Sequence, residues 1–250
     1  GGAVTTGQYN TLIGAQAGDA ITDADENVAV GYNSLGTNTL GNRTVAIGTG
    51  ALSVQNFATA TDGFNTAVGH FAGGAVTTGV QNTLIGGLAG DALTDSDENV
   101  AVGYGALSSD TLGRYSTAIG RNALTAQNFS TATTTSNTAV GYLAGTEVTT
   151  GISNTLIGST AGDALTDADD NTAVGTFALG VDTLGSRSTA IGRGALANQN
   201  FTTATNALNT AVGYNSGASV TTGIDNTLIG GLTGDAITTG HSNVAIGFSA

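Results

Sequence analysis

Fourteen glycines, each closing a five-residue apolar string, recur at nearly fixed spacing along the chain and constrain its fold more than any other feature. The strings read NTLIG ending at Gly14, NVAVG at Gly31, TVAIG at Gly48 and NTAVG at Gly69, and the series runs on to Gly247. Their spacing is 17, 17 and 21 residues, then 17, 17, 17 and 21 in rotation, so four strings make a 72-residue super-repeat. An internal period of this size points to a solenoid, in which each repeat is one turn that buries its apolar surface only against its neighbours.

In every copy the residue before Gly is Val or Ile, Thr or Val stands two places earlier, and Ala or Leu lies between them. Side chains alternate across an extended strand, so the β-branched residues share one face while Ala or Leu and the Gly share the other. A strand apolar on both sides is expected to be covered on both sides. One face then lines the coil interior, and the narrow Ala and Gly face, or its opposite, forms a subunit interface. The candidate core and assembly residues are Ile13, Val30, Ile47, Val68, Val102, Ile119 and Val140 on one face and Ala101 and Ala139 on the other. At one phase only, Leu12, Leu84, Leu156 and Leu228 replace the usual Ala.

Three residues after each Gly stands a small residue, such as Ala17, Ser34 or Ala51, usually followed by Leu or Gly, which predicts a tight bend into a second strand. The remainder of each coil, such as SSDTLGRYS at 108–116, reads as a polar, solvent-facing return. The expected fold is all-β, a parallel β-solenoid of about fourteen coils forming a single repeat array over residues 1–250. With rungs about 4.8 Å apart, such an array would be a rod of roughly 65 Å. The absence of an initial Met, the end in mid-motif at Ala250 and the lack of capping coils predict an excerpt of a longer fibre.

Composition narrows the function. Only 9% of residues are charged and Pro, Cys, Met and Trp are absent, so neither a bulky globular core nor thiol chemistry is expected. Regularly placed Val, Ile, Leu and Ala argue against a solvated coil. A net charge of −13 with five Arg argues against nucleic acid, whose phosphates need clustered cations. No stretch approaches the ~20 apolar residues of a membrane span, so no membrane insertion is expected.

The string of Asn or Ser, Thr or Val, Ala, Val or Ile, then Gly, with Ala or Ser three places on, is seen in NVAVGYGA from Asn99 and STAIGRNA from Ser116. It resembles the head repeats of trimeric autotransporter adhesins, which are left-handed parallel β-rolls assembled as trimers. The longer form NTAVGYLAG, with its DTLG turns nearby, looks still more like repeat arrays of bacteriophage tail fibres and bacterial surface fibres. The resemblance covers essentially the whole chain, although coils of 17 and 21 residues are longer and less uniform than adhesin-head rungs. It implies a homotrimeric or otherwise homo-oligomeric fibre shaft on a virion or cell surface, presenting attachment surfaces to a host glycan or protein. Competing readings are a self-assembling extracellular filament or sheath and an ice-binding solenoid. The ice reading needs exposed threonines, whereas Thr66, Thr83, Thr138 and Thr155 share the phase of Val and Ile and are expected to be buried.

No residues form a catalytic pattern: His70 and His241 are unrelated in phase, and no enzyme activity or organic cofactor is expected. Acidic residues concentrate in GDAITDADEN, GDALTDSDEN and GDALTDADDN, at 18–27, 90–99 and 162–171. Asp23, Asp25, Asp95, Asp97, Asp167 and Asp169 are the candidate calcium ligands, against the simpler reading of a solvated acidic edge. The 21-residue coils share QNF followed by a Thr- and Ala-rich run, which predicts projecting loops at Phe57, Phe129 and Phe201. These rings either meet a partner or cover the neighbouring coil while the Thr-rich tip bulges outward. Acceptor triplets for N-glycosylation at Asn42, Asn128 and Asn200 are taken as coincidental in a phage or bacterial fibre. The Asn that opens eleven of the fourteen strings predicts a ladder of side-chain amides along the stack.

Overall fold

The computed structural model describes all 250 residues, Gly1–Ala250. They form two compact units, one of residues 1–121 with 128–134 and one of residues 122–127 with 135–250. Each is a parallel β-solenoid without helix, and hence without any helix long and apolar enough to cross a membrane.

In the first unit the glycine-closed strings become the strands Thr11–Ile13, Val28–Val30, Val45–Ile47, Thr66–Val68, Thr83–Ile85, Val100–Val102 and Thr117–Ile119. In the second they become Thr138–Val140, Thr155–Ile157, Thr172–Val174, Thr189–Ile191, Thr210–Val212, Thr227–Ile229 and Val244–Ile246. Successive strands within a unit pair in parallel at the sequence period: Ala67 opposes Leu84, Leu84 opposes Ala101 and Ala190 opposes Ala211. The 21-residue coils add a second, two-residue ladder, as where Gly41–Asn42 pairs with Thr61–Asp62.

Which face points inward is now fixed. Ala29, Ala46, Ala67, Ala101 and Ala139 are fully buried, while Ile47, Ile85, Ile119 and Ile157 remain 37–39% exposed. The interior is therefore lined by the small residues and the β-branched pair points out. The motif glycines adopt φ between 126° and 144°, a region that L side chains avoid. A Cβ on Gly103 would also lie 2.5 Å from the carbonyl oxygen of Gly120 in the next coil. Glycine is required here by both torsion and space.

The expected bend into a second strand is corrected for most coils. After the motif the chain makes successive turns, with Ala17 N–H donating to Gly14 C=O and Ile21 N–H to Gly18 C=O. No second strand forms in the 17-residue coils that follow Gly14, Gly69 or Gly86. The residue four places after the motif glycine is left-handed. Leu35, Leu52, Leu107, Leu124, Leu179 and Leu196 hold φ of 47–54° there, a conformation costing a non-glycine residue about 1–2 kcal/mol. Each is fully buried, so core volume offsets the torsional cost. Elsewhere the same place is Gly73 or Gly90, where a Cβ would come within 2.7 and 2.8 Å of the Leu84 methyls. Leu84 thus fills the space left by the two glycines, which explains why Leu replaces Ala at one phase of the super-repeat.

Candidate assembly face

A polar ladder beneath the strands holds the coils in register. Asn82 donates from Nδ2 to Ser96 C=O at 2.7 Å and accepts at Oδ1 from Asn99 N–H at 3.0 Å. The same pattern joins Asn99 to Gly113 and Ser116, and Asn154 to Ala168 and Asn171. The predicted ladder exists, but it runs mainly from side-chain amide to backbone. Direct amide pairs occur as well, such as Asn226 Nδ2 to Asn209 Oδ1 at 3.1 Å.

Three coils have Thr44, Ser116 or Ser188 in place of the ladder Asn. After each of them the following 21-residue coil supplies a buried Gln that accepts from the next ladder Asn, Gln55 from Asn65, Gln127 from Asn137 and Gln199 from Asn209. Gln199 donates to Ser188 Oγ at 3.0 Å and to Asp182 Oδ2 at 2.6 Å, and accepts from Asn209 Nδ2 at 2.8 Å. Gln55 likewise donates to Thr44 Oγ1 and accepts from Asn65 Nδ2. The QNF segment therefore repairs the ladder where the shorter hydroxyl side chain cannot span it. Gln199→Ala strands buried donors and acceptors, and an expected loss of about 1–3 kcal/mol is to be read from denaturant unfolding. Thr203→Ala on the exposed loop tip is the control and should stay within about 0.5 kcal/mol of the parent.

The strands that this ladder aligns present a strip of Thr or Val beside Ile or Val to solvent. Ile13, Ile47 and Ile119 are exposed and Val30, Val68, Val102 and Val140 half-buried, all on the outer face, whereas Ala101 and Ala139 lie inside. Thr66, Thr83, Thr138 and Thr155 are half-buried on that outer face, which corrects the expectation of burial. Their hydroxyls make no hydrogen bond within the chain, in contrast to the loop threonines. Thr77, Thr94 and Thr166, for example, all donate to carbonyls of the next coil. The strip thus carries unused donors and exposed aliphatic groups together.

Phe57, Phe129 and Phe201 are 5–7% exposed and so are not tips of the projecting loops. The Phe57 ring covers Gly41 and the Phe201 ring covers Gly185, where a Cβ would approach within 2.6 and 2.8 Å. The loop tips are instead Thr59 and Ala60, Thr131 and Ala132, and Thr203 and Ala204. Asp110 and Asp182, in the return that looked solvent-facing, are fully buried. The carboxylate of Asp182 accepts from Gly185 N–H and Phe201 N–H.

The six candidate calcium carboxylates join coil to coil. Asp23, Asp95 and Asp167 accept from the hydroxyls of Thr6, Thr78 and Thr150, and Asp25, Asp97 and Asp169 from the N–H groups of Gln8, Val80 and Ile152. Arg114 pairs with Asp97 at 3.3 Å, and Arg43 with Glu26 and Asp62. No three acidic or His side chains converge as a metal site would require. His241 stands where Asp97 and Asp169 stand in their super-repeats, and its Nδ1 accepts from Ile224 N–H at 3.1 Å.

Asp91 and Asp163 are less well served, since Oδ1 of each is buried without a hydrogen-bond partner. Burial pushes both carboxyls above their ordinary pKa, and the nearby Glu147 adds to the effect at Asp163. A raised carboxyl pKa means that the charged form costs stability above the folded pKa, and that this cost is relieved as pH falls through it. Asp91→Asn should therefore raise the thermal midpoint near neutral pH. The gain should vanish when both proteins are melted below about pH 4, where the aspartate is protonated in the folded and the unfolded chain.

No family model, curated protein or solved structure matches the chain.

Proposed function

We propose that the chain is a structural segment of an extracellular fibre of the phage-tail or bacterial-surface type, which associates with further copies of itself and acts by reach and rigidity. The observation that carries this reading is the outer strip: aliphatic, regular, free of acidic residues in a chain of net charge −13, and half-covered only by its own neighbours. Exposed apolar surface of this regularity marks an association face. Rigidity follows from the coil-to-coil ladder, and the Thr-rich loop tips at every fourth coil are the surfaces such a fibre presents for attachment to a host glycan or protein. A homotrimer is the arrangement that the repeat motif suggests.

The test is the mass in solution of the intact chain and of Ile157→Glu by light scattering. Ile157 is 39% exposed, so the substitution should leave the β-structure seen by circular dichroism intact while converting an oligomer to monomer. A monomeric parent chain would sink the self-association reading. The outward, unpartnered threonine hydroxyls favour one second reading, a face that orders water as an ice-binding solenoid does. Thermal hysteresis of the parent, lost in Thr172→Tyr, would support it.

A further inference from the structure

A stack of near-identical coils poses a register problem, because copies displaced by one coil would keep almost the same contacts. The outer strip is not uniform, however. Its middle column alternates Ile and Val coil by coil from Ile13 and Val30 to Val212 and Ile229. The next outward column, the residue after each motif glycine, alternates in the opposite sense. Val102 is followed by Tyr104 and Val140 by Tyr142, while Ile85 is followed by Gly87 and Ile157 by Ser159. His70 takes the aromatic place after Val68; Thr176 is the one non-aromatic residue after a Val, and Phe248 the one aromatic after an Ile.

The Tyr104 ring leans over the preceding coil, 3.5 Å from where a Cβ on Gly87 would stand. Tyr32 and Tyr104 remain 57% and 55% exposed, so the aromatic column presents accessible ring surface to a partner. Ten of the fourteen coils thus offer one bulky outward group, either an Ile in the middle or an aromatic at the edge, while Arg121 and Arg193 add a long, flexible edge side chain beside Ile119 and Ile191.

We infer that this checkerboard sets the axial register between copies of the chain, an inference that rests on the self-association reading. Copies run parallel and level, with the middle column of one against the edge column of the next, so that Ile meets a small or flexible residue and Val meets an aromatic in each layer. A slip of one coil would set Ile against Tyr and Val against Gly, giving overlap and void in alternate layers.

Area and charge suit this occupant. Three outward columns span about 13 Å and seven coils about 34 Å. That gives roughly 440 Å² per unit and roughly 880 Å² for both, against the ~800 Å² per partner of a standard interface. No Asp or Glu falls in any of the three columns, which keeps the excess negative charge of the copies off the contact and leaves Arg121 and Arg193 as its charged side chains. A planar ice lattice gains nothing from a two-coil corrugation, whereas a second copy carries the same one.

The chain has no cysteine, so Ala204→Cys at the exposed loop tip gives one spin-label site per copy. Pulsed dipolar spectroscopy on the full chain, with mass measured in parallel, should show an oligomer with a single narrow inter-label distance. Replacing Tyr32, Tyr104, Tyr142 and Tyr214 with Ser, all exposed, should keep the oligomer but broaden the distribution by added populations one rung, about 4.8 Å, apart along the axis. A broad distribution in the parent oligomer, or a narrow one in the variant, overturns the inference while self-association stands. A variant that falls to monomer overturns it too, because the aromatics would then supply binding rather than alignment. A monomeric parent removes the self-association reading itself.

Discussion

Ala139→Glu is expected to unfold its solenoid unit, not to release an intact subunit from an assembly. Ala139 has no solvent exposure and opposes Leu156 in the next coil, so a glutamate there has neither room nor a counter-ion. Burying an unpaired carboxylate and overfilling a packed layer each cost several kcal/mol, and about 4 kcal/mol or more together is a large share of a domain's ~5–15 kcal/mol. In a solenoid each coil is stabilised by its neighbours alone, so the damage spreads along the stack. Circular dichroism should show loss of β-structure, and the same outcome is expected of Ala101→Glu in the first unit. Retention of fold with loss of oligomer mass would mean that the Ala face, not the Ile and Val face, is the contact surface.

Gly103→Ala should be nearly as damaging although it adds one methyl. The new Cβ would sit 2.5 Å from the carbonyl oxygen and 2.6 Å from the carbonyl carbon of Gly120, and backbone atoms within a parallel ladder cannot step aside. The φ of 135° adds strain of about 1–3 kcal/mol, and overpacking a comparable amount, so a loss of about 2–6 kcal/mol is expected. Denaturant unfolding measures it directly. Gly36→Ala is the informative contrast, because Gly36 does not have a left-handed φ and the atom in its way is the tip of the Asn33 side chain. A Gly103→Ala protein as stable as the parent would require a coil spacing wider than the one described.

Much of this architecture was legible in the residues. Strand positions, parallel pairing at 17 and 21 residues and the amide ladder all follow from strings such as NTAVG, because a repeat that cannot bury its own apolar face has to stack on its like. The role of Gln199 was not legible. Its partners Ser188, Asp182 and Asn209 lie 11, 17 and 10 residues away, and only the closed coil brings them together. A signal was nevertheless present, since Ser or Thr replaces the ladder Asn only where a QNF segment follows, at Thr44, Ser116 and Ser188. The aromatic rings of that segment misled for a related reason. A Phe beside a Thr-rich run looks like a projecting tip until Gly41 and Gly185 are seen to leave room for it inside.

By itself the sequence determined the period, the all-β class and the alternation of side chains between two faces, since these depend on local torsions and on spacing along one chain. A period of two does not say which face is inside. That was decided by the tertiary structure, where Ala101, Ala106 and the left-handed Leu107 converge on one interior and leave space for nothing larger than Ala on the strand. The β-branched residues were thereby turned outward, and with them the threonines whose hydroxyls find no partner in their own chain. The exposed apolar face is consequently the Thr, Val and Ile strip, because packing volume inside a coil of fixed length, and not hydrophobicity alone, decides which apolar residues a solenoid can afford to bury.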